Sequence, residues 1–240
     1  MTDFPYLYTD SYAGALQRRE TRQYDASFQQ NIVCARAVEQ AIQEHAEKVR
    51  GELTEGCAQS VLARYGFKRV NYVLSNSVNV ADCRDLISKD AQDWVRNTCV
   101  HGDGHNCRFA VNTTVDLLDK FIGQVKACYQ ALGLFGQEHC VDSQDQQDYT
   151  GKVLILSPFS MEESCWDTHS QLWLAEEGFG CYPGTYGWSL YATCLGSGEQ
   201  ARWDRSNFIG IMKEQYLPDW AREKLEEIQA PKQSGPTMNM

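Results

Sequence analysis

Two thiols and two imidazoles fall within nine residues at Cys99-Val-His101-Gly-Asp103-Gly-His105-Asn-Cys107. Two cysteines and two histidines form the ligand set of a tetrahedral zinc site, and Gly102 and Gly104 would let so short a loop close on one ion. The spacing, however, lacks the separated knuckles through which common zinc modules wrap the metal. The competing reading is a flexible polar loop in a cysteine-rich chain. A cofactor, if there is one, is therefore expected to be zinc on Cys99, His101, His105 and Cys107, and otherwise none is expected. His139-Cys140 and Cys165 with His169 are further thiol–imidazole neighbours. A cysteine nucleophile needs a base and an orienting group assembled by the fold, and adjacency in sequence does not supply them. Cys34, Cys57, Cys128 and Cys194 lie in periodic apolar stretches, where cysteine acts as a small buried hydrophobe.

Arg202-Trp203-Asp204-Arg205 is the second candidate. Two arginines around a tryptophan could stack on a ligand or hold an anion. The favoured reading is instead a strand edge with Arg202 and Arg205 paired to acidic neighbours. Glu162-Glu163 and Glu176-Glu177 read as solvated acid pairs or, together, as a phosphate-like surface for a basic cleft. Trp166, Trp173 and Trp203 are the expected aromatic anchors beside those charges. Gly178-Phe-Gly180-Cys-Tyr-Pro-Gly184 misplaces the third glycine of a dinucleotide loop and precedes no amphipathic helix, so it reads as a turn. G-x-x-x-x-G-K-[ST], G-x-S-x-G and H-E-x-x-H do not occur. With no complete catalytic motif, the chain reads as non-enzymatic.

Lys+Arg number 22 against 32 Asp+Glu, a net charge of −10. Splitting at residue 150 leaves −5 on each side, so the shorter C-terminal part is the more densely acidic. Such a chain is ill suited to displacing counterions from a phosphate backbone, so direct nucleic-acid binding is not expected. A protein partner with a basic surface is. No apolar run approaches the roughly 18 residues of a membrane span. Met1-Thr2-Asp3-Phe4-Pro5 lacks the basic and apolar regions of an export signal, and ten cysteines then imply reduced thiols in a cytoplasmic protein.

The elements that would position these residues divide in two. Before residue 136 the periodicity is helical. A short helix starts at Asp10 or Ser11. A long one follows from Thr21, with Phe28, Ile32, Ala35, Val38 and Ile42 on one face and Gly51 as its stop. Another spans Thr54 to Tyr65 and stops at Gly66. Lys68 to Val78 reads as a further helix, with a strand as competitor because of its valines. Ser88 to Asn97 is short, and Thr113 to Leu132 is long, opening on Thr113 and Asp116 as a capping box. Residues 137–150 read as an acidic linker or loop. From 151 the pattern turns to strands at Lys152 to Leu156, Gln171 to Ala175, Trp188 to Cys194 and Phe208 to Met212. A final helix spans Pro218 to Ile228, and 230–240 reads as a frayed tail. The expected class is α+β: a helical module over 1–136, then a small antiparallel sheet closed by a helix over 151–229.

Asn31-Ile-Val-Cys34-Ala-Arg-Ala-Val-Glu39-Gln-Ala-Ile42 and Tyr65-Gly-Phe67-Lys-Arg-Val70-Asn-Tyr72-Val-Leu74 resemble an uncharacterised helical domain of unknown function. That domain recurs in accessory proteins of conjugative elements and phages of Firmicutes-type gut bacteria. Ala131-Leu-Gly-Leu-Phe135, Gly151-Lys-Val-Leu154, Glu163-Ser-Cys-Trp166, Gln171-Leu-Trp173, Gly178-Phe-Gly180, Arg202-Trp203-Asp-Arg205-Ser206 and Leu217-Pro-Asp-Trp220 are similar to the module that often follows it. The Cys99–Cys107 cluster is no part of the family pattern. Mobile elements carry small proteins that shield them from restriction and CRISPR nucleases, and acidic DNA mimicry is one recurrent means. The resemblance thus implies a non-enzymatic inhibitor of a host defence nuclease, anti-CRISPR or antirestriction. A zinc-stabilised adaptor in element transfer or regulation is the second reading, and a hydrolase the third.

Overall fold

The computed structural model describes residues 6–47, 51–80, 86–98, 106–141 and 146–229. The chain forms two compact units, Met1–Leu132 and Gly133–Met240. No helix among the described residues is long and apolar enough to cross a membrane.

The first unit is helical: α1 (Tyr12–Arg18), α2 (Thr21–His45), α3 (Cys57–Val80), α4 (Lys89–Asn97) and α5 (Val115–Gln130). Ser11 opens α1 by accepting the Gly14 N–H, and Arg19, in the left-handed region, closes it. Ser88 does the same for α4 at Ala91, while Asp119 on α5 accepts the Ser88 hydroxyl at 2.7 Å. The expected capping box of α5 does not form. The N-cap is Thr114, without a side-chain bond, and Asp116 instead meets Lys120 one turn on. Likewise α2 ends at His45, short of Gly51, because Ala46 leaves the helix to bridge Leu53.

Gly66 (φ 76°, ψ 164°) breaks α3 as expected, and the stretch beyond it is helix, not strand. Every residue from Arg69 to Val78 is buried, with α2, α4, α5 and the 3₁₀ turn Cys107–Phe109 packed around it. A helix enclosed on all sides has no need of a polar stripe, so its sequence loses the 3.6-residue signal. The guanidinium of Arg69 sits within this core and donates to Ser27 O at 3.0 Å, to Asn31 Oδ1 and to Tyr6 O at 2.6 Å. It thereby ties the segment before α1 to α2.

The second unit is an antiparallel sheet of β1 (Val153–Leu156), β2 (Leu172–Glu177), β3 (Ser189–Cys194), β4 (Gln200–Asp204) and β5 (Phe208–Ile211), in the order β4-β3-β2-β1-β5. The one-turn helix α6 (Thr168–Gln171) leads into β2, and α7 (Asp219–Gln229) ends the unit. Strand alternation sends two sets of side chains to opposite faces. Leu154, Leu156, Trp173, Leu190, Ala192 and Phe208 pack with Tyr149, Met161 and Cys181 on one. On the other, Ile155, Leu172 and Leu174 pack with Ala221, Leu217 and Trp220 from the α7 region. β4 is the strand edge anticipated at Arg202, although Arg205 falls in the 3₁₀ turn that follows it. Residues 137–141 and 146–150, expected as an acidic linker or loop, are anchored in this unit. Cys140 bridges Met212, and Tyr149 is buried in the first of the two clusters.

Candidate functional site

α7 covers the β1, β2 and β5 side of its face, and among the described residues the β3–β4 end is left bare. There Glu177, Tyr191 and Arg202 form a row across β2, β3 and β4, and Ser189 and Asp204 form the next. Ser189 Oγ donates to Asp204 Oδ1 at 2.9 Å. Beside them the turn joining β2 to β3 projects a run of aromatic rings. Phe179 is 69% exposed, Tyr182 53%, Tyr186 81%, Trp188 54% and Tyr191 48%. Phe179 meets Trp188 edge to face at 5.5 Å between ring centres. Together with Gly178, Gly187, Ser189, Tyr191 and Arg202 they line an open groove of about 470 Å³.

Backbone packing fixes this arrangement. Gly178 has φ +120°, and an added methyl there would lie 2.8 Å from Ser189 O. One at Gly180 would collide with the Trp188 carbonyl. Only glycine lets the 3₁₀ turn Phe179–Cys181 run so close under the start of β3, setting Phe179 beside Trp188. From below, Arg205 clamps the same turn. Its guanidinium donates to Gly180 O at 3.0 Å, Cys181 O at 2.9 Å and Gln147 O at 2.8 Å, and lies 3.5 Å from the centre of the Tyr149 ring.

The residues singled out in the sequence fare differently. Arg202 is exposed in the groove, with no ion pair among the described residues. Arg205, expected at the binding surface or at a strand edge paired with acids, is buried and serves backbone carbonyls instead. Trp173 is also buried: its Nε1 donates to Ser170 O at 2.8 Å and its ring meets Trp203 edge to face at 5.3 Å. Trp203 is half-buried on the core face, and Trp166 is half-buried with Nε1 donating to Pro158 O at 2.7 Å. Glu176 is spent internally, accepting from Thr193 Oγ1 at 2.5 Å and Gln200 Nε2 at 3.3 Å, whereas Glu177 is exposed opposite Tyr191. Glu162 and Glu163 lie in the β1–β2 connection and Glu176 and Glu177 at the far end of β2, so the two pairs leave that strand from opposite ends. Phe179, Tyr182, Tyr186, Trp188 and Tyr191 were missed. Their signal was the density of rings between glycines over residues 178–191.

Cys99, His101 and His105 lie outside the described residues, and Cys107 is exposed at the start of its 3₁₀ turn. Among the described residues no group of three or more His, Cys, Asp or Glu could hold a metal ion. Burial pushes the Cys34 thiol up to about 12 and the Cys57 thiol up to about 11, and it raises Cys128 and Cys181 as well. These thiols are packing groups. His139 accepts the Gly136 N–H through Nδ1 at 3.0 Å, and His169 stacks on Trp220 at 4.2 Å. The groove offers flat rings, a guanidinium and two flanking carboxylates, Glu177 and Asp204. That is equipment for recognition by stacking and ion pairing.

A family model described as "Protein of unknown function (DUF3849)" matches residues 7–130, just over half of the chain. The chain belongs to the DUF3849 family. The matched span coincides with the described helical unit, so the groove lies beyond the DUF3849 match, in the sheet unit. No curated protein and no solved structure matches the chain.

Proposed function

We propose that the chain is a non-enzymatic binding protein that inhibits a basic nucleic-acid-binding partner. That partner is a host defence nuclease, and the setting is the bacterial cytoplasm, where the protein serves a conjugative element or phage as an anti-CRISPR or antirestriction factor. The observation that carries the binding role is the cluster of exposed rings around Phe179 and Trp188. Contiguous exposed apolar surface is costly to maintain on a monomer, and buried aromatics supply much of the energy at protein interfaces. The net charge of −10 supports a basic partner, because it would steer one into contact. Glu177 and Asp204 stand where a partner's Lys or Arg could pair with a carboxylate while lying over a ring. Glu162-Glu163 and Glu176-Glu177 do not meet at one spot, so any DNA mimicry draws on the overall charge, with the rings as anchors. The resemblance to accessory proteins of mobile elements supports the biological setting.

The test is to titrate the protein into DNA-cleavage assays with several restriction and Cas nucleases at low and high salt. Stoichiometric inhibition that weakens as salt screens the steering is expected, with the target chemically intact. Trp188→Ala combined with Tyr191→Ala should abolish it. No inhibition of any nuclease, or inhibition indifferent to the loss of both rings, would overturn the proposal. Substoichiometric inhibition with a modified target would make the protein an enzyme.

A further inference from the structure

The two edges of the sheet are treated differently. At β5, Val141 N–H donates to Ile211 O at 2.8 Å, Lys213 N–H donates to His139 O at 2.8 Å, and Cys140 bridges Met212. That edge is sealed by the chain itself. β4, at the other edge, has no strand beyond it among the described residues.

The direction of the open backbone groups on β4 follows from its ladder. Arg205 N–H donates to Trp188 O at 2.9 Å and Cys194 N–H to Glu199 O at 2.8 Å. The register between them is Ser189↔Asp204, Tyr191↔Arg202 and Thr193↔Gln200. Antiparallel ladders alternate hydrogen-bonded and non-bonded pairs, so the odd-numbered residues of β4 bond β3. Gln200, Arg202 and Asp204 therefore turn their N–H and C=O groups outward. Asp204 N–H confirms the direction, since it is held from outside by Asn207 Oδ1 at 3.0 Å.

Arg202 and Asp204 project to the same face, two residues apart. A strand laid antiparallel on β4 needs an acidic residue opposite Arg202 and a basic one opposite Asp204. Read from its own N-terminus, that complement is basic, any residue, acidic, which is the pattern Arg202-Trp203-Asp204 already has. We propose that β4 pairs antiparallel with β4 of a second copy of this chain, Trp203 opposite Trp203, so that Arg202 of each copy faces Asp204 of the other.

Backbone parity and charge select this register together. Outward groups can meet only when even residues oppose even residues. Moving by one such step places Arg202 opposite Arg202 or Asp204 opposite Asp204, and like charges directly across a ladder destabilise it. In the chosen register each copy's Arg202 N–H donates to the other's Asp204 C=O. Release of Asp204 N–H by Asn207 would add the reciprocal pair. The half-buried rings of Trp203, whose Nε1 has no hydrogen-bond partner among the described residues, would cover one another across the twofold. So short and charged an edge makes a weak, concentration-dependent dimer rather than an obligate one. Both aromatic grooves would then lie on one face of a continuous ten-stranded sheet.

Sedimentation velocity of the full chain across a concentration series tests this. Wild type should shift from monomer to dimer, and Arg202→Asp and Asp204→Arg should each weaken the dimer by about tenfold or more. The double exchange Arg202→Asp with Asp204→Arg should restore it. The two single variants mixed in equal amounts should form a heterodimer, since one then presents an all-acidic edge and the other an all-basic one. Near-UV circular dichroism checks that each variant is folded. A wild-type monomer throughout the series, a dimer unmoved by Arg202→Asp, or a mixture that fails to associate would each overturn the proposal. So would added extended peptides from another protein that protect the Gln200 and Arg202 amides from exchange while the chain stays monomeric.

Discussion

The helical unit closes around the Arg69–Val78 stretch of α3 on every side, whereas the sheet unit, among the described residues, leaves the β3–β4 end of one face bare. Each contains a buried arginine that serves backbone carbonyls, and the pair shows what the difference means. Arg69 joins the segment at Tyr6 to α2 inside a closed core, so its work is cohesion. Arg205 does similar work beneath the Phe179–Cys181 turn, but the other side of that turn is the aromatic groove. A helix wrapped by neighbours spends its whole surface on folding. A sheet covered on one and a half faces keeps apolar surface for a partner.

The largest effect expected from this contrast is in the closed core. Phe121 is fully buried on α5, and Phe121→Ala should cost about 3–5 kcal/mol in urea titrations, while the groove keeps its geometry. Next come Arg69→Met and Arg205→Met, each leaving buried carbonyls without donors at a cost of about 3 kcal/mol. The indole N–H resonance of Trp188 should move in Arg205→Met and stay in place in Arg69→Met; equal shifts in both would break the comparison. Trp188→Ala should change stability by less than about 0.5 kcal/mol, because the ring is largely solvated, yet weaken partner inhibition at least about tenfold. A stability loss above about 2 kcal/mol would mean that the ring belongs to the core instead.

The smallest effect concerns pH. Hydrogen bonding to Arg18 holds the Asp10 carboxyl below its ordinary value, and hydrogen bonds from Tyr8 and Arg18 do the same for Glu20. A depressed carboxylate stabilises the fold above the unfolded value, near 4, and that contribution is lost as pH falls through the folded one. These groups are exposed, so the melting temperature should be flat from pH 7 to about 5 and dip slightly below about 4, with the dip erased by salt. A dip that survives high salt would contradict the exposed placement of the Arg18 cluster.

Much of the fold was legible because it rests on periodicity. The spacing of Phe28 to Ile42 and of Val115 to Val125, the breaker Gly66 and the start of the last helix at Pro218 are local signals, and they held. β4 was legible only as a strand edge around Arg202, because Gln200 to Asp204 carries no apolar alternation strong enough to give the strand its bounds. Of the site, Arg202 and Trp203 drew notice through their types, whereas Trp188 and Tyr191 passed as ordinary strand residues.

The sequence by itself determined the α+β order of elements, the acidic charge and the residue types available for recognition. Tertiary structure alone decided which of them face a partner. A strand's period of two says that Trp203 and Arg202 point opposite ways, but not which way is out. That depends on what covers each face, and here the covers come from far along the chain: Tyr149 and Cys181 on one side, α7 on the other. The same holds for the arginines three residues apart. Arg205 is buried because carbonyls at Gln147, Gly180 and Cys181 converge on it, and Arg202 is exposed because α7 stops short of β4.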